Sequence, residues 1–456
     1  MRKKILLLWA CLCLGTSLAA GEVKNVIWVI GDGMGPELMG FFMQGVRYGN
    51  VDSYPNKTSA LEEIMNQGTW GLFFNNTYDT IVTDSASAAT QMATGALSRP
   101  GMIGVDYNGD PAMTFLELAK QKGKAVGVIS DSYITDATPA GFTAHVQNRR
   151  EKMAVARQQI EEGVDVILGG GLKYFNSGEN KKLLKQAKKQ GYQIVSSKKS
   201  LQKVSSGKLL GLFAEESLPM SVELYKYPQI PSLTEQTQKA VELLEKNREG
   251  FFLMVEAGKI DWAAHANDAG SVWAEMKVLD AVLAFLKEYA DKHPDTLILI
   301  NADHDTGLGA FQYRHVSGSE IARKSAQGEA LYSGDMDYAS FSVYKRFEQQ
   351  KESLYTLRQE LKKVPAKKLT KEYLQKRLTE ALGYPVDLSG YENVTDIAGL
   401  FKQMDIERGL AWATPNHSSA ALLNIAYGPE AEHFSGVYHN TDLMPKLRVA
   451  LDWDEE

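Results

Sequence analysis

Short apolar runs alternate with amphipathic stretches along most of the chain. Four stretches have helical periodicity, and they lie at Thr114–Lys122, Met153–Glu162, Leu233–Asn247 and Val272–Tyr289. Six apolar runs are rich in Val, Ile and Leu, as buried parallel strands are, and they lie at Val26–Ile30, Ala125–Ile129, Val164–Leu168, Phe251–Val255, Thr296–Ile300 and Ala421–Ala426. Strands that alternate with helices predict an α/β fold with a doubly wound, mostly parallel central sheet and helices on both faces.

The alternation is interrupted between residues 312 and 408, where the sequence is rich in Lys, Glu and Gln. Arg346–Lys363 and Thr370–Leu382 have the composition and periodicity of exposed helices. We therefore expect a single catalytic domain over residues 21–456, with 312–408 as a helical insertion late in the chain. Two interpretations of the insertion remain open. It is either a cap or rim over the functional site or a solvated helical appendage.

The first 20 residues have the pattern of a secretory signal peptide, with basic Arg2–Lys4, apolar Ile5–Leu14 and small residues before Gly21. This apolar run is too short to span a membrane, and no other run approaches about 18 residues. We therefore expect an exported protein, periplasmic or secreted, with no membrane span. The only two cysteines, Cys11 and Cys13, lie in the same segment, so no disulfide or thiol chemistry is expected in the rest of the chain.

The net charge of the chain limits which classes of molecule it is expected to bind. Of the 50 Lys and Arg residues, three lie in the signal segment, so its removal takes the net charge from −6 to about −9. This balance argues against a nucleic acid partner. An anionic small molecule remains compatible, because a bound metal ion can outweigh the field of the whole chain.

Carboxylates and imidazoles follow the predicted strands, at the edge of the sheet where ligands bind in such folds. Asp32 follows the first strand within IGDGMG, and Asp303 and His304 follow the strand Thr296–Ile300 within ADHDTG. An Asp such as Asp32 is also a common helix N-cap. The adjacent Asp303 and His304 are harder to explain as core or as solvated surface, so they favour a metal site.

The motif EAGKIDWAAH adds three more candidate ligands. Asp261 and His265 are four residues apart, so on a helix they share one face and could hold one metal or form a surface ion pair. Carboxylate and imidazole together suit zinc. Glu256 comes directly after a buried strand, where a hard cation such as magnesium would offset the cost of burying its charge. His417 lies before the strand Ala421–Ala426, so we expect it to reach the site from a loop.

Two further motifs combine polar and small residues. TDSASAATQMATG, residues 83–95, has almost no bulk, which fits either a tightly packed helix or a backbone that approaches a ligand closely. DATPAGFTAHVQNRR, residues 136–150, ends in two arginines. Arg149 or Arg150 could bind an oxyanion with two parallel hydrogen bonds, which a lysine cannot do.

In this order, the motifs resemble those of alkaline phosphatases over nearly the whole chain after the signal segment. The matching stretches are GDGMG, TDSASAATQMATG, DATPAGFTAHVQNR, FLMVEAGKIDWAAH, ADHDTG and NHSSAAL. The resemblance implies hydrolysis of phosphate monoesters to alcohol and inorganic phosphate at alkaline pH, through a phosphoserine on Ser85. It also implies two zinc ions, one magnesium ion and a phosphate-gripping arginine, Arg149.

The resemblance assigns the ligands by position. The implied ligands are Asp261, His265 and His417 for one zinc, Asp32, Asp303 and His304 for the other, and Asp32, Thr138 and Glu256 for magnesium, with Asp84 and Asp136 beside these groups. Two positions depart from the family pattern. Trp262 replaces a lysine or histidine near the phosphate, which removes a charge there. Thr306 replaces a frequent histidine, which predicts a looser orientation of the zinc ligands.

Several alternatives remain at this point. A phosphodiesterase of the same superfamily is the main alternative, although such enzymes usually use threonine as nucleophile and lack the arginine that Arg149 matches. A sulfatase would normally need a cysteine, or a serine followed by Pro and Arg, as its modified nucleophile. A non-catalytic metal- or phosphate-binding protein is more remote, because Ser85 is present. The sequence leaves both a monomer and a homodimer open.

Overall fold

The computed structural model describes residues 22–315, 336–388, 391 and 396–453. The predicted signal peptide at 1–20 lies outside these residues, as does part of the predicted insertion. Among the described residues, no helix has the length and apolar character required to cross a lipid bilayer.

A ten-stranded sheet lies at the centre of the fold, in the order β16-β2-β15-β8-β1-β7-β3-β4-β6-β5. In the described part of the chain the strands are β1 (Asn25–Gly31), β2 (Thr69–Phe74), β3 (Ala125–Tyr133), β4 (Val166–Gly170), β5 (Gln193–Val195), β6 (Leu209–Leu212), β7 (Phe251–Ala257), β8 (Thr296–Asn301), β9 (Asp305–Thr306), β10 (Gly309–Phe311), β11 (Arg314–His315), β12 (Met336–Asp337), β13 (Leu410–Trp412), β14 (His417–Ser418), β15 (Leu422–Tyr427) and β16 (Gly436–His439). The central strands β1, β7 and β8 are buried along their whole length. They form the middle of the main hydrophobic core.

Helices surround this sheet, and the four predicted from periodicity are α4, α6, α10 and α12. The α-helices of the described residues are α1 (Pro36–Tyr48), α2 (Ala60–Gln67), α3 (Ser85–Thr94), α4 (Phe115–Gln121), α5 (Ala137–Thr143), α6 (Lys152–Glu162), α7 (Lys173–Asn176), α8 (Leu183–Lys189), α9 (Lys198–Gln202), α10 (Leu233–Leu244), α11 (Lys259–His265), α12 (Ala269–Lys292), α13 (Val343–Gln349), α14 (Leu354–Leu361), α15 (Lys371–Leu382), α16 (Ile397–Glu407) and α17 (Leu443–Ala450). Their arrangement around a mostly parallel sheet confirms the predicted fold class.

The direction of β15 differs from the prediction. The run Ala421–Ala426 was expected to be one of the parallel strands, but β15 pairs antiparallel with both β8 and β2. Its first residue therefore lies at the edge where the neighbouring parallel strands end. His417 precedes β15 and lies in β14, which pairs with β9 through His417 and Thr306. The expectation that His417 arrives from a loop is therefore wrong, since it is held by a strand pair.

The predicted insertion is only partly a separate unit. The continuous helix expected over Arg346–Lys363 is interrupted after Gln349, and α13 and α14 are separate helices. Ser353 caps α14 by accepting a hydrogen bond from the amide of Thr356. The core-facing residues of α13 belong to the main core, whereas α14, α15 and α16 share a second apolar cluster that includes Leu357, Leu378 and Phe401.

The stretch at 83–95 forms helix α3, whose residues from Ser85 to Ala93 are all buried. Helix α5 lies against it, and Gly141 of α5 faces Ala89. A Cβ at position 141 would lie 2.8 Å from Ala89 Cβ and 3.1 Å from the Ala89 carbonyl carbon. The small side chains therefore allow the backbones of α3 and α5 to come into direct contact. This close approach matters because α3 begins with Ser85 and α5 carries Thr138.

We expect Gly141→Ala to lower the free energy of unfolding by about 1–3 kcal/mol, because the added methyl group would force α5 away from α3. Gly40→Ala in α1 is a matched control. A Cβ there meets none of the described residues within 4 Å, so the same substitution should be neutral or stabilise by up to ~1 kcal/mol. Denaturant unfolding followed by circular dichroism would measure both. Equal effects of the two substitutions would contradict the close helix contact.

Candidate active site

Ser85 is the first residue of α3 and is almost completely buried, with 4% of its surface exposed. Asp84 caps the helix by accepting a hydrogen bond from the amide of Ser87 at 3.1 Å. The Ser85 hydroxyl lies 3.0 Å from Nε2 of His304, which follows β8. A hydroxyl at a helix N-terminus experiences a positive potential from the helix dipole, which favours negative charge at that point.

Three of the predicted ligands, on α11 and β14, meet at one point. Nε2 of His265 lies 3.1 Å from Nε2 of His417 and 3.3 Å from Oδ1 of Asp261. The remaining distance, from His417 Nε2 to Asp261 Oδ1, is 3.8 Å. The structure thus brings together a carboxylate of α11, the imidazole one helical turn later and the imidazole of β14. Such a set of nitrogen and oxygen atoms suits a zinc ion.

A second group of ligands lies next to Ser85. Nε2 of His304 is 3.2 Å from Oδ2 of Asp303 and 3.5 Å from Oδ1 of Asp32. The three potential ligand atoms of Asp32, Asp303 and His304 lie within 4.8 Å of one another. The turn after β1 brings Asp32 close because Gly33 has a φ of 70° and its amide donates to Oδ1 of Asp303 at 3.1 Å.

Hydrogen bonds at Nδ1 direct Nε2 of His265 and His417 toward the group that contains Asp261. Nδ1 of His417 lies 3.0 Å from the carbonyl oxygen of Thr83, and Nδ1 of His265 lies 2.6 Å from that of Pro415. A carbonyl oxygen only accepts, so Nδ1 carries the proton in both rings. This leaves Nε2 of each ring as the atom that can bind a metal ion. In metal sites the outer nitrogen of a ligating histidine is held in this way.

Buried carboxylates make this edge of the sheet electrostatically costly. Burial raises the pKa of Asp32 well above its usual value, and the neighbouring Asp303, Asp261 and Glu256 raise it further. Burial also raises the pKa of Asp303. Oδ1 of Asp32 and Oδ2 of Asp303 are buried and have no hydrogen-bond partner among the described residues. Carboxylate oxygens in this situation fit divalent cations.

His304 is buried among these groups without a charge of its own. Burial lowers the pKa of its imidazole well below the usual value, and His417 lowers it further. The two rings stack with their centroids 3.5 Å apart. A neutral His304 keeps Nε2 available as a ligand.

Glu256 and Thr138, the predicted magnesium ligands, are both buried. Burial raises the pKa of Glu256 to about 8, against a lowering contribution from the hydroxyl of Ser130, which donates to Oε2. Asp131 and Asp136 raise this pKa as well. The hydroxyl of Ser132 also donates to Oε2, at 3.4 Å. Burial still outweighs these hydrogen bonds and keeps the pKa of the carboxyl raised, which suits a hard cation.

Arg149 links the helix of Ser85 to the helix of Thr138. Its Nη1 donates to Oδ2 of Asp84 at 3.0 Å, and its Nη2 lies 3.4 Å from Oδ1 of Asp136. Burial opposes the charge on Asp84, but Arg149 and the amides of Gly101 and Ser87 outweigh it and lower the pKa of the carboxyl. The guanidinium is therefore held beside the residue that precedes Ser85, and it keeps further N–H donors for a ligand.

Sequence reasoning missed Lys152, whose Nζ lies 3.2 Å from Oδ1 of Asp136 and 4.4 Å from the ring centroid of Tyr133. Burial opposes ionisation of Asp136, but Lys152 and Arg149 outweigh it and lower the pKa of this carboxyl. Lys152 is the first residue of α6 and lies in a stretch with many charged residues. Nothing in the local sequence therefore distinguishes it from an ordinary surface lysine.

The two positions that depart from the family pattern have distinct surroundings. The hydroxyl of Thr306 donates to Oδ1 of Asp261 at 2.6 Å and accepts from Nδ1 of His304, which lies 3.2 Å away. Thr306 therefore contacts one ligand from each of the two groups, Asp261 and His304. Trp262 lies against the Lys259 ammonium, 3.6 Å from the ring centroid, and beside the rings of Tyr133 and Tyr355.

The chain is similar to known proteins over nearly its whole length. The alkaline phosphatase family model matches residues 23–453. The chain is 32% identical to alkaline phosphatase 3 of Bacillus subtilis, over 95% of this chain and 90% of that protein. Among solved structures it is similar to a cold-active alkaline phosphatase from Shewanella, with 28% identity and a TM-score of 0.75 over 94% of this chain and 99% of the other. It is also similar to the Thermus thermophilus alkaline phosphatase, with 25% identity and a TM-score of 0.80 over 98% and 97%.

These similarities extend over nearly the whole chain and agree with the geometry around Ser85. The chain belongs to the alkaline phosphatase family and is a metal-dependent phosphatase that hydrolyses phosphate monoesters.

Proposed function

We propose that Ser85 is the nucleophile of this phosphatase. Its oxygen attacks the phosphorus atom, the bond to the alcohol breaks and a phosphoserine forms. Water then hydrolyses the phosphoserine and releases inorganic phosphate. The observation that carries this proposal is the position of a buried serine hydroxyl at the start of α3, 3.0 Å from an imidazole that belongs to a cluster of metal-ligating atoms.

In this proposal two zinc ions and one magnesium ion complete the site. Asp261, His265 and His417 would hold one zinc, Asp32, Asp303 and His304 the other, and Asp32, Thr138 and Glu256 the magnesium. When bound, these cations supply positive charge that favours the ionised Ser85 oxygen and neutralises the oxygens of the phosphate. The unpartnered carboxylate oxygens and the Nε2 atoms support the assignment.

Groups of the protein itself also bind and orient the phosphate. The N-terminus of α3 favours negative charge on the phosphate, and Arg149 binds two of its oxygens through its remaining N–H groups. Asp84 and Asp136 hold the guanidinium in place and reduce its freedom before substrate binds. Since the transition state of phosphoryl transfer is loose, positioning and charge neutralisation supply most of the rate enhancement.

Two further features belong to the proposal. The segment 1–20 directs export to the periplasm or the exterior. Phosphate monoesters are preferred over diesters because Arg149 and the cations together engage the oxygens that a second ester group would occupy.

We expect Ser85→Ala to reduce kcat for an aryl phosphate by about 10³-fold or more, because the covalent route is lost. Acid quenching of a reaction with ³²P-labelled substrate should label the wild-type protein and leave this variant unlabelled. Ser87→Ala is the control, because its hydroxyl contacts Thr83 and Asp84 and not His304. Labelling of the Ser85→Ala protein would contradict the assignment of the nucleophile.

The reaction class can be tested with a matched aryl monoester and diester at alkaline pH. We expect a chelator to abolish hydrolysis of the monoester and added zinc to restore it, with the diester cleaved far more slowly. Elemental analysis of the active protein should give two zinc ions and one magnesium ion per chain. Preferential cleavage of the diester would indicate the phosphodiesterase alternative and would remove the proposed role of Arg149.

Magnesium binding to the metal-free protein should depend on pH through Glu256. With a pKa of about 8, this carboxyl is protonated at neutral pH, and the proton must leave before the cation binds. The affinity should therefore rise by about tenfold for each pH unit up to pH 8 and then level off. Titration calorimetry between pH 6 and 9 would measure this slope. Glu256→Gln should weaken binding and reduce the slope, with the remainder due to Asp32, whose pKa is also raised. A flat profile in the unsubstituted protein would exclude Glu256 as a ligand.

A further inference from the structure

A pocket of about 330 Å³ lies between α11 and the insertion helix α14. On the α11 side it is lined by Trp262, His265 and Ala266. On the other side it is lined by Tyr355, Arg358, Gln359 and Lys362. The spacing of these four residues, at i, i+3, i+4 and i+7, puts them on one face of a helix. The size falls in the range of pockets that bind small molecules.

This pocket shares His265 with the candidate active site. From Ser85, the row of rings runs through His304, which stacks on His417 at 3.5 Å, to His265, whose centroid lies 5.0 Å from that of His417. In this order of contacts His265 is the third and last ring from Ser85. Displacement at phosphorus places the nucleophile and the leaving group in line. An ester attacked by Ser85 therefore directs its alcohol part away from Ser85, toward the end of the row where the pocket opens.

The walls of the pocket combine aromatic rings with cations. The rings of Trp262 and Tyr355 are in contact, with their centroids 5.9 Å apart and their planes tilted by 45°. No carboxylate is present among the lining residues, although the chain as a whole is acidic. The guanidinium of Arg358 stacks on Phe401 at 5.4 Å, and its Nε is buried without a hydrogen-bond partner. Lys362 is exposed and forms no ion pair within the described part of the chain.

We propose that this pocket is a subsite for the alcohol part of the substrate, and that it favours phosphate monoesters whose alcohol carries an aromatic ring and a further anionic group. The ring packs on the wall formed by Trp262 and Tyr355, and the anionic group lies near Lys362 and Arg358. The insertion thereby contributes to substrate selection as the rim of the site. This inference rests on the proposed role of Ser85, because that role sets the direction of the leaving group.

The test uses the metal-loaded protein and three monoesters: 4-carboxyphenyl phosphate, its uncharged match 4-carbamoylphenyl phosphate, and glycerol phosphate. Lys362→Gln should lower kcat/KM for the carboxyphenyl ester by about three- to fivefold and change the other two by less than twofold. Tyr355→Ala should lower kcat/KM for both aryl esters by about tenfold and leave glycerol phosphate unaffected. Each ratio compares two proteins on one substrate, so the intrinsic reactivity of the ester cancels.

Lys363→Gln is the matched control, because it makes the same charge change at the next residue, which does not line the pocket. It should leave all three values within twofold. Binding of inhibitors that are not turned over gives a second measurement. In titration calorimetry, Lys362→Gln should weaken the binding of 4-carboxybenzylphosphonate and leave that of benzylphosphonate unchanged.

The outcomes separate the two proposals. If the wild-type protein hydrolyses all three esters, and Lys362→Gln and Tyr355→Ala change them equally, the subsite is overturned while the phosphatase function stands. If Lys363→Gln has the same effect as Lys362→Gln, the effect is long-range charge and the subsite is again overturned. If the wild-type protein hydrolyses none of the monoesters, the proposed function itself fails.

Discussion

Mutual repulsion among buried carboxylates is the main constraint on the candidate active site, which lies at one edge of the central sheet. Asp32, Asp303, Asp261 and Glu256 lie at one end of the central strands, and the other three raise the pKa of Asp32 beyond the effect of burial alone. Such a cluster is costly in a fold that is stable by only a small margin. Cations that bind here would offset this cost, so metal binding and the stability of this edge are expected to be linked.

The directions of the strands bring these groups to one edge of the sheet in spite of their repulsion. Parallel strands bring their carboxyl ends to one edge, and this places the ligands that follow β1, β7 and β8 together. The antiparallel direction of β15 brings the opposite end of that strand to the same edge, so His417 can precede its strand and still reach the cluster. Thr306, on the strand paired with His417, then contacts Asp261 and His304 and holds the two groups of ligands in one frame.

Much of this arrangement could be predicted from the sequence because the central strands are fully buried. Continuous runs of Val, Ile and Leu identify β1, β7 and β8, and the polar residues after them identify the edge. The strands β2 and β16 were missed because they are half-exposed, with Trp70, Phe74 and Val437 facing solvent, and so lack the buried pattern. The direction of β15 could not be predicted either, since an apolar run has the same pattern in both directions.

The contacts of Lys152 and Thr306 depend on three-dimensional neighbours that no local spacing reveals. Lys152 approaches Asp136 from a helix that begins 16 residues later, and Thr306 contacts Asp261 across 45 residues of sequence. For the same reason the break between α13 and α14 was not expected. Ser353, the N-cap of α14, is held in place by a buried and distant partner, Glu223. The Glu223 carboxylate accepts a hydrogen bond from the Ser353 amide at 3.0 Å.

The second apolar cluster beneath α14 has a consequence for how this protein can change. Leu357, Leu378 and Phe401 stabilise the insertion from within, so its outward residues are not needed to hold the central sheet together. Substitutions on the face that carries Tyr355 and Lys362 can therefore accumulate at little risk to the residues that hold metals. In evolutionary terms, the part of substrate choice that lies on α14 is inherited on a piece of the chain separate from the metal ligands, and selection can alter that part while it preserves the chemistry.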